Sequence, residues 1–189
     1  MFGHLFKQKE QTGANIKVQA RALYAAALEK TREENFYIKG GVPDTFDGRF
    51  ELLLIHIFLI LHRLMDQDKS KNLSQALFDV TFKDMDQTLR EMGIGDMGVP
   101  KHMRRMMKAF NGRMYNYEMA LSPERLDGIY PLEMKKTTLR EALMRNLYGT
   151  LPEENLPTQE QIDFIENYML ENLSFEYDRF VEREKKGDE

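Results

Sequence analysis

The stretch Leu52–Leu61 sets the tightest limit on what this chain can fold into. It is apolar throughout except for His56, and it is closed by His62 and Arg63. A helix that is hydrophobic on every side has to be surrounded by other elements. The run is also well short of the eighteen or so apolar residues that a bilayer-spanning helix requires. It therefore reads as the buried centre of a bundle, and the rest of the chain must supply the faces that cover it.

The remaining sequence supplies helices. Period-two alternation is rare, and Asp47-Gly48 and Asp127-Gly128 lie beside helical patterns rather than between β-branched runs. The punctuation predicts six helices. The first runs from about Ala14 to Glu34 and ends before Gly40-Gly41. The second runs from about Thr45 to Met65, capped by Asp44 after Pro43. The third covers Leu73 to Met92, with Asn72 and Gln75 at capping-box spacing and Gly93 as its stop. Pro100 opens the fourth, which extends to Leu121. A fifth follows Pro131 as far as Tyr148, and Thr158 with Gln161 caps the last. The expected architecture is one all-α domain, residues 14–181, with helix 45–65 central. A flexible segment, 1–13, precedes it and a charged tail, 182–189, follows.

Composition removes several function classes. The chain has no cysteine, so disulfide frameworks, thiolate zinc sites and cysteine nucleophiles are excluded. A net charge of −4 with 31% charged residues does not describe a generally basic DNA-binding protein, although a local basic patch is compatible with it. Met1–Phe6 is too short for a signal peptide and lacks a cleavage site, so a soluble, cytoplasmic protein is expected.

Candidate motifs fail on their spacing. Gly93-Ile-Gly-Asp-Met-Gly98 spells GxGxxG, but a helix precedes it where a dinucleotide site needs a strand. It reads as a helix C-cap and connection, with an anion site at the next helix start, beside Lys101, His102 and Arg104, as the functional reading. Asp66, Asp68, Ser70, Asn72 and Ser74 alternate as in a calcium loop. The required glycine is replaced by Lys71, however, and the required glutamate by Leu77. Asp84 and Asp86 diverge by about 200° on a helix and cannot share a metal. Asp79–Lys83 and Asp86–Arg90 have ion-pair spacing. There is no GxSxG, no HExxH and no His/carboxylate cluster, and neither a cofactor nor a metal is expected.

Two helices carry more information. Arg49, His56 and Arg63 recur every seven residues as a polar stripe, read either around a hydrogen-bonded core histidine or as a groove for a partner. On the fourth helix Met103, Met106, Met107, Phe110, Met114, Tyr117 and Leu121 share one arc, and Lys101, Arg104, Arg105 and Lys108 lie opposite. Methionine suits surfaces that accommodate more than one apolar partner, and the cations suit lipid or RNA phosphates or an acidic protein segment.

Several segments, in order, also carry a resemblance. Gly41-Val-Pro-Asp-Thr-Phe-Asp-Gly-Arg-Phe-Glu51 leads into the apolar helix. Asp84-Met-Asp-Gln-Thr-Leu-Arg-Glu-Met-Gly-Ile-Gly-Asp96, Val99-Pro-Lys101 and Ala109-Phe-Asn-Gly-Arg113 follow. Over about Ala14 to Leu173 the chain resembles the ubiquinol–cytochrome c chaperone family. The positions that match its pattern are Asp44, Asp47, Gly48, Arg49, His56, Asp84, Asp86, Arg90, Glu91, Gly93, Gly95, Asp96, Lys101, Gly112 and Arg113. The resemblance implies an all-α, non-enzymatic factor for cytochrome bc1 assembly. Mitochondrial members act at the ribosome with a small partner and hold newly made cytochrome b.

On this reading the client is cytochrome b or another bc1 subunit, and the ribosome or an anionic membrane surface is a further partner. The protein would then sit peripherally at the inner face of the cytoplasmic membrane. Client contacts are expected from Arg49, His56, Arg63, Lys101, Arg104, Arg105, Lys108, Met103, Met107 and Met114. Arg90, Glu91, Asp96 and Arg113 are expected to form an ion-pair junction between the third and fourth helices. The readings from other classes are an RNA- or ribosome-binding adaptor using the basic face, and an enzyme acting on a phosphorylated ligand at the Gly93–Gly98 turn.

Overall fold

The computed structural model of the chain describes residues 3–65, 71–126 and 137–173, with side chains from residue 13 onward. These residues form seven α-helices: α1 (Gly3–Thr31), α2 (Glu34–Ile38), α3 (Phe46–Met65), α4 (Lys71–Glu91), α5 (Val99–Leu121), α6 (Leu139–Asn146) and α7 (Gln159–Leu173). Short 3-10 turns at Pro123–Leu126 and Glu153–Asn155 complete the described elements, which include no strand. The all-α, single-domain expectation holds. Asp66, Asp68 and Ser70 of the calcium-like alternation, the Pro131 helix start and the charged tail lie outside the described residues.

As its apolar circumference requires, α3 is the centre of the bundle. Leu52, Leu54, Ile55 and Ile57 are fully buried, and α1, α4, α5 and α7 all pack on this helix. Two apolar clusters lie on either side of it. One joins α1, α4 and α5 through Ala20, Tyr24, Leu77, Phe82 and Phe110. The other joins α2, α5, α6 and α7 through Phe36, Tyr117, Leu143, Tyr148 and Ile165. Edge-to-face contacts of Phe110 with Phe78 and Phe82, at 5.5 and 5.4 Å, fix the angle between α4 and α5.

Helix ends depart from the sequence reading where two capping residues compete. The cap of α3 is Thr45, whose hydroxyl accepts from Gly48 N at 3.1 Å, while Asp44 turns outward to Arg49. Helix α4 starts at Lys71, which places Asn72 within its first turn, and Gln75 bonds Asp79 instead of closing a capping box. Helix α6 starts only at Leu139. Thr138 is extended there and forms the full capping box with Glu141, which a search for proline alone passes over. The Thr158–Gln161 cap of α7 forms as expected. Near the start of α3, a Cβ on Gly48 would lie 2.1 Å from the Pro43 carbonyl oxygen, so only glycine lets the Pro43–Thr45 turn fold back on the helix.

The expected junction between the third and fourth helices divides in two. Arg90 gathers Asp86, at 2.7 Å, and Asp96 on the surface, and Glu91 takes Gln87. Arg113 turns inward instead, to Glu51 of α3, with Nε and Nη2 contacts of 2.9 and 2.5 Å. The reason is burial. Glu51 keeps only 9% of its side chain exposed and needs a charged partner far more than the solvated Asp96 does. Burial pushes the Glu51 carboxyl above its ordinary range, while Arg113 pulls it back.

Arg113→Ala is expected to destabilise the fold by about 2–3 kcal/mol, because it strands a buried carboxylate. The loss should be greatest at neutral pH. It should shrink as the pH falls and Glu51, its pKa raised further in the variant, takes up a proton. Urea melts at two pH values check both statements, and the paired replacement Glu51→Leu with Arg113→Leu should recover most of the loss.

Candidate functional site

At one side of α3 the bundle leaves an open cleft of about 730 Å³. Four elements build it: the end of α1 (Leu28, Thr31, Arg32), α2 (Tyr37, Ile38), the first turns of α3 (Phe46, Arg49, Phe50, Leu53) and α4 (Asp84, Met85, Thr88). The floor is apolar because Leu53 and Met85 belong to the core beneath it. The walls stay apolar as they reach solvent, since Ile38 is 70% exposed and Phe46 42% exposed. Two aliphatic and aromatic side chains held in water on one rim are the unusual feature, because scattered exposed apolar residues rarely face a common depression.

Three charged groups of the cleft, Asp44, Arg49 and Asp84, have side-chain partners. Arg49 donates to Asp44 at 2.6 Å across the rim, which lowers the Asp44 pKa and raises that of Arg49. Asp84 accepts from the Tyr24 hydroxyl at 2.7 Å, and burial together with this bond raises the Tyr24 pKa. Tyr37 donates to the Thr31 carbonyl at 2.6 Å, tying α2 back to the end of α1. Three positions singled out by the resemblance, Asp44, Arg49 and Asp84, thus meet at one opening. Spacing did not show that Asp84 would join the other two, because it comes from α4, far along the sequence from the Asp44–Arg49 segment.

The polar stripe of α3 does not form a continuous groove. Arg49 is exposed at the cleft, His56 is buried, and Arg63 is half-buried and donates to the Asn172 carbonyl of α7. Nδ1 of His56 lies 3.1 Å from the Thr31 hydroxyl, which itself donates to the Ala27 carbonyl. That assigns the ring proton to Nδ1 and leaves Nε2 buried without a partner, between the edges of Phe36 and Tyr168. Burial, with the Lys30 charge adding to it, pushes the His56 pKa down to about 3. The core-histidine reading describes this residue.

On α5 the two faces separate as the periodicity predicts. Met106, Phe110 and Tyr117 are buried, and Met103 and Met114 pack against the core, so most of the methionine stripe holds the bundle together. Met107 is 39% exposed, and Lys101, Arg104, Arg105 and Lys108 are all exposed. The anion site at the start of this helix is not present. Gly98 N and Val99 N bond the Gly95 carbonyl, Lys101 N and His102 N bond the Gly98 carbonyl, and Pro100 has no N–H. Before it, Gly93, with φ of +82°, closes α4 by a Schellman pair, Gly93 N to Arg90 O and Ile94 N to Leu89 O. The GxGxxG stretch is a helix stop. Among the described residues, no three His, Asp or Glu side chains converge as metal ligands. No described helix is long and apolar enough to cross a membrane.

These features define an all-α protein with a central buried helix and an open, apolar-floored cleft. Residues 39–175 match the ubiquinol–cytochrome C chaperone family, and the chain belongs to it. The crystal structure of the Cbp3 homolog from Brucella abortus superimposes with a TM-score of 0.68 at 31% identity, covering 94% of this chain and 91% of that one. Ubiquinol-cytochrome c reductase complex assembly factor 1 of Homo sapiens is 29% identical over 104 residues, which are 54% of this chain and 35% of the human protein. The Xenopus laevis protein of the same description is 25% identical over 134 residues, 70% of this chain and 61% of its own length. The chain thus spans about a third of the mammalian relative it matches.

Because His56 stays neutral in the fold until about pH 3, the unfolded chain takes up a proton that the native state refuses as the pH falls below 6.5. Stability is lost as the pH falls through this window, by about 2 kcal/mol between pH 7 and 5. His56→Gln should lack this part of the acid slope, so the gap between variant and parent narrows by about that amount. Urea melts at the two pH values measure it.

Proposed function

We propose that this protein is a non-enzymatic assembly factor of the ubiquinol–cytochrome c reductase (bc1) complex that holds a subunit, such as newly made cytochrome b, before assembly. Family membership and the descriptions of its relatives support this reading, and the cleft carries the structural part of it. A protein that keeps an apolar client in solution has to present apolar surface of its own, partly shielded and reachable from outside. Ile38 and Phe46 present such surface above the core residues Leu53 and Met85. The Asp44–Arg49 pair and Asp84 frame it with polar groups that set where a client segment can lie. Of the client contacts expected from sequence, Arg49 is the one on this rim, and the basic residues of α5 lie outside it.

Affinity would come from burying the rim residues, and fully burying one such side chain contributes about 1.5–3 kcal/mol. Replacing both exposed residues with aspartate, in Ile38→Asp with Phe46→Asp, should shift the thermal midpoint little, because both side chains already meet water. The same variant should fail to restore bc1 assembly in cells lacking the protein. Photocrosslinks placed at residue 38 should trap a bc1 subunit. Normal bc1 levels in cells without the protein would overturn the assembly role. Normal levels with the double variant would overturn the cleft as the client site.

A further inference from the structure

One exposed surface takes no part in the cleft. Lys101, Arg104, Arg105 and Lys108 are exposed on the outer face of α5, and among the described residues none of them pairs with a carboxylate. The carboxylate that precedes this helix, Asp96, is already held by Arg90, which also holds Asp86. In a chain of net charge −4, these four cations concentrate positive charge on one helix face. Helical geometry also continues backward from α5. Gly98 has φ −82° and ψ −37°, and Val99 N bonds Gly95 O at 3.2 Å. Residues 97, 101, 104, 105 and 108 therefore fall on one face, at spacings that return to the same side of the helix. Met97 heads that face and is 97% exposed.

We propose that this face docks the protein on an anionic lipid surface, with Met97 entering the headgroup layer and the four cations meeting lipid phosphates. The pairing of features selects lipid over RNA. Phosphates of either kind would satisfy the cations, but a fully exposed thioether gains nothing from a phosphate backbone. An RNA groove would add exposed aromatic side chains for stacking, yet Phe110 and Tyr117 of the same helix are buried, and Tyr115 is half-buried with its hydroxyl out of solvent. An interface between headgroups and acyl chains takes up both parts, the apolar tip by burial and the basic side chains by attraction to anionic headgroups. No residue of α5 lines the cleft, so docking here leaves the client surface open. The proposal does not depend on the client reading and can fail separately from it.

The chain contains no tryptophan, so Met97→Trp introduces a unique fluorophore at the tip. With vesicles of phosphatidylcholine and phosphatidylglycerol, its emission should shift to the blue and co-sedimentation should fall as salt is raised. Vesicles of phosphatidylcholine alone should give neither response. In the full chain, Arg104→Glu with Arg105→Glu and Lys108→Glu should weaken vesicle binding by about a hundredfold or more. The melting curve of this triple variant should match the parent. Met97→Asp should weaken binding about tenfold while leaving the four cations in place. Equal binding to neutral and anionic vesicles, or full binding by the triple variant, would overturn the proposal. So would homopolymeric RNA that binds more tightly than the vesicles and is indifferent to Met97→Asp, because the face would then be a nucleic-acid surface.

Discussion

The structure depends on a helix that must be buried on every side and yet carries ionisable groups along its length. Apolar residues alone could set α3 among its neighbours at several rotations and heights, because burial is non-directional. Glu51, His56 and His62 remove that freedom. Each needs a particular partner at a particular place: Arg113 for Glu51, Thr31 for His56, and Glu118 for His62, the last at 2.8 Å. Two of these partners stand on α5 and one at the end of α1, so three contacts fix two helices against the third. Arg125 adds to the His62 end by donating to the His62 carbonyl, which ties the turn after α5 to the same point.

This arrangement explains why the cleft lies where it does. Fixing α1 at Thr31 sets the point from which the chain must turn into α2, and the Tyr37 hydroxyl bonds back to the Thr31 carbonyl. Helix α2 is one turn and a half long and buries Phe36 against α7, with ring centroids of Phe36 and Tyr168 4.8 Å apart. With one side of such a short helix committed, the opposite side, which carries Ile38, is left largely uncovered by the described residues. The cleft is therefore a consequence of the anchoring and not a packing defect, and the core residues below it keep its floor apolar.

The fold was legible because burial is written in composition. The Leu52–Leu61 run, the stop at Gly93 and the start at Pro100 could be read directly, and the two faces of α5 followed from periodicity. What could not be read was the choice among equivalent polar partners. Arg113 could have taken Asp96 or Glu51, and only the depth of Glu51 decides between them. Depth is a property of the assembled bundle. Thr45 and Asp44 could each have capped α3, and the neighbouring Arg49 drew Asp44 away. The cleft was illegible for the same reason. Its lining comes from four helices, and Ile38 looks in sequence like any apolar residue at a helix end.

The positions that the resemblance singles out separate on this structure into two kinds with different physical roles. Gly48, Gly93 and Arg113 are fixed by the fold itself: a backbone approach, a left-handed helix stop and a buried charge leave no latitude at those points. Asp44 and Arg49 are different, because both are exposed and their pairing at the surface contributes little to stability. Under the proposed function, a pair that the fold does not require, standing on the rim of an apolar cleft, serves what approaches that rim. Asp84 joins the two kinds. It steadies α1 against α4 through the Tyr24 hydroxyl and at the same time lines the cleft, so the contact that closes the bundle on this side also shapes the opening. Core and site are therefore not independent here, and a change in how α1 sits on α4 alters the cleft wall directly.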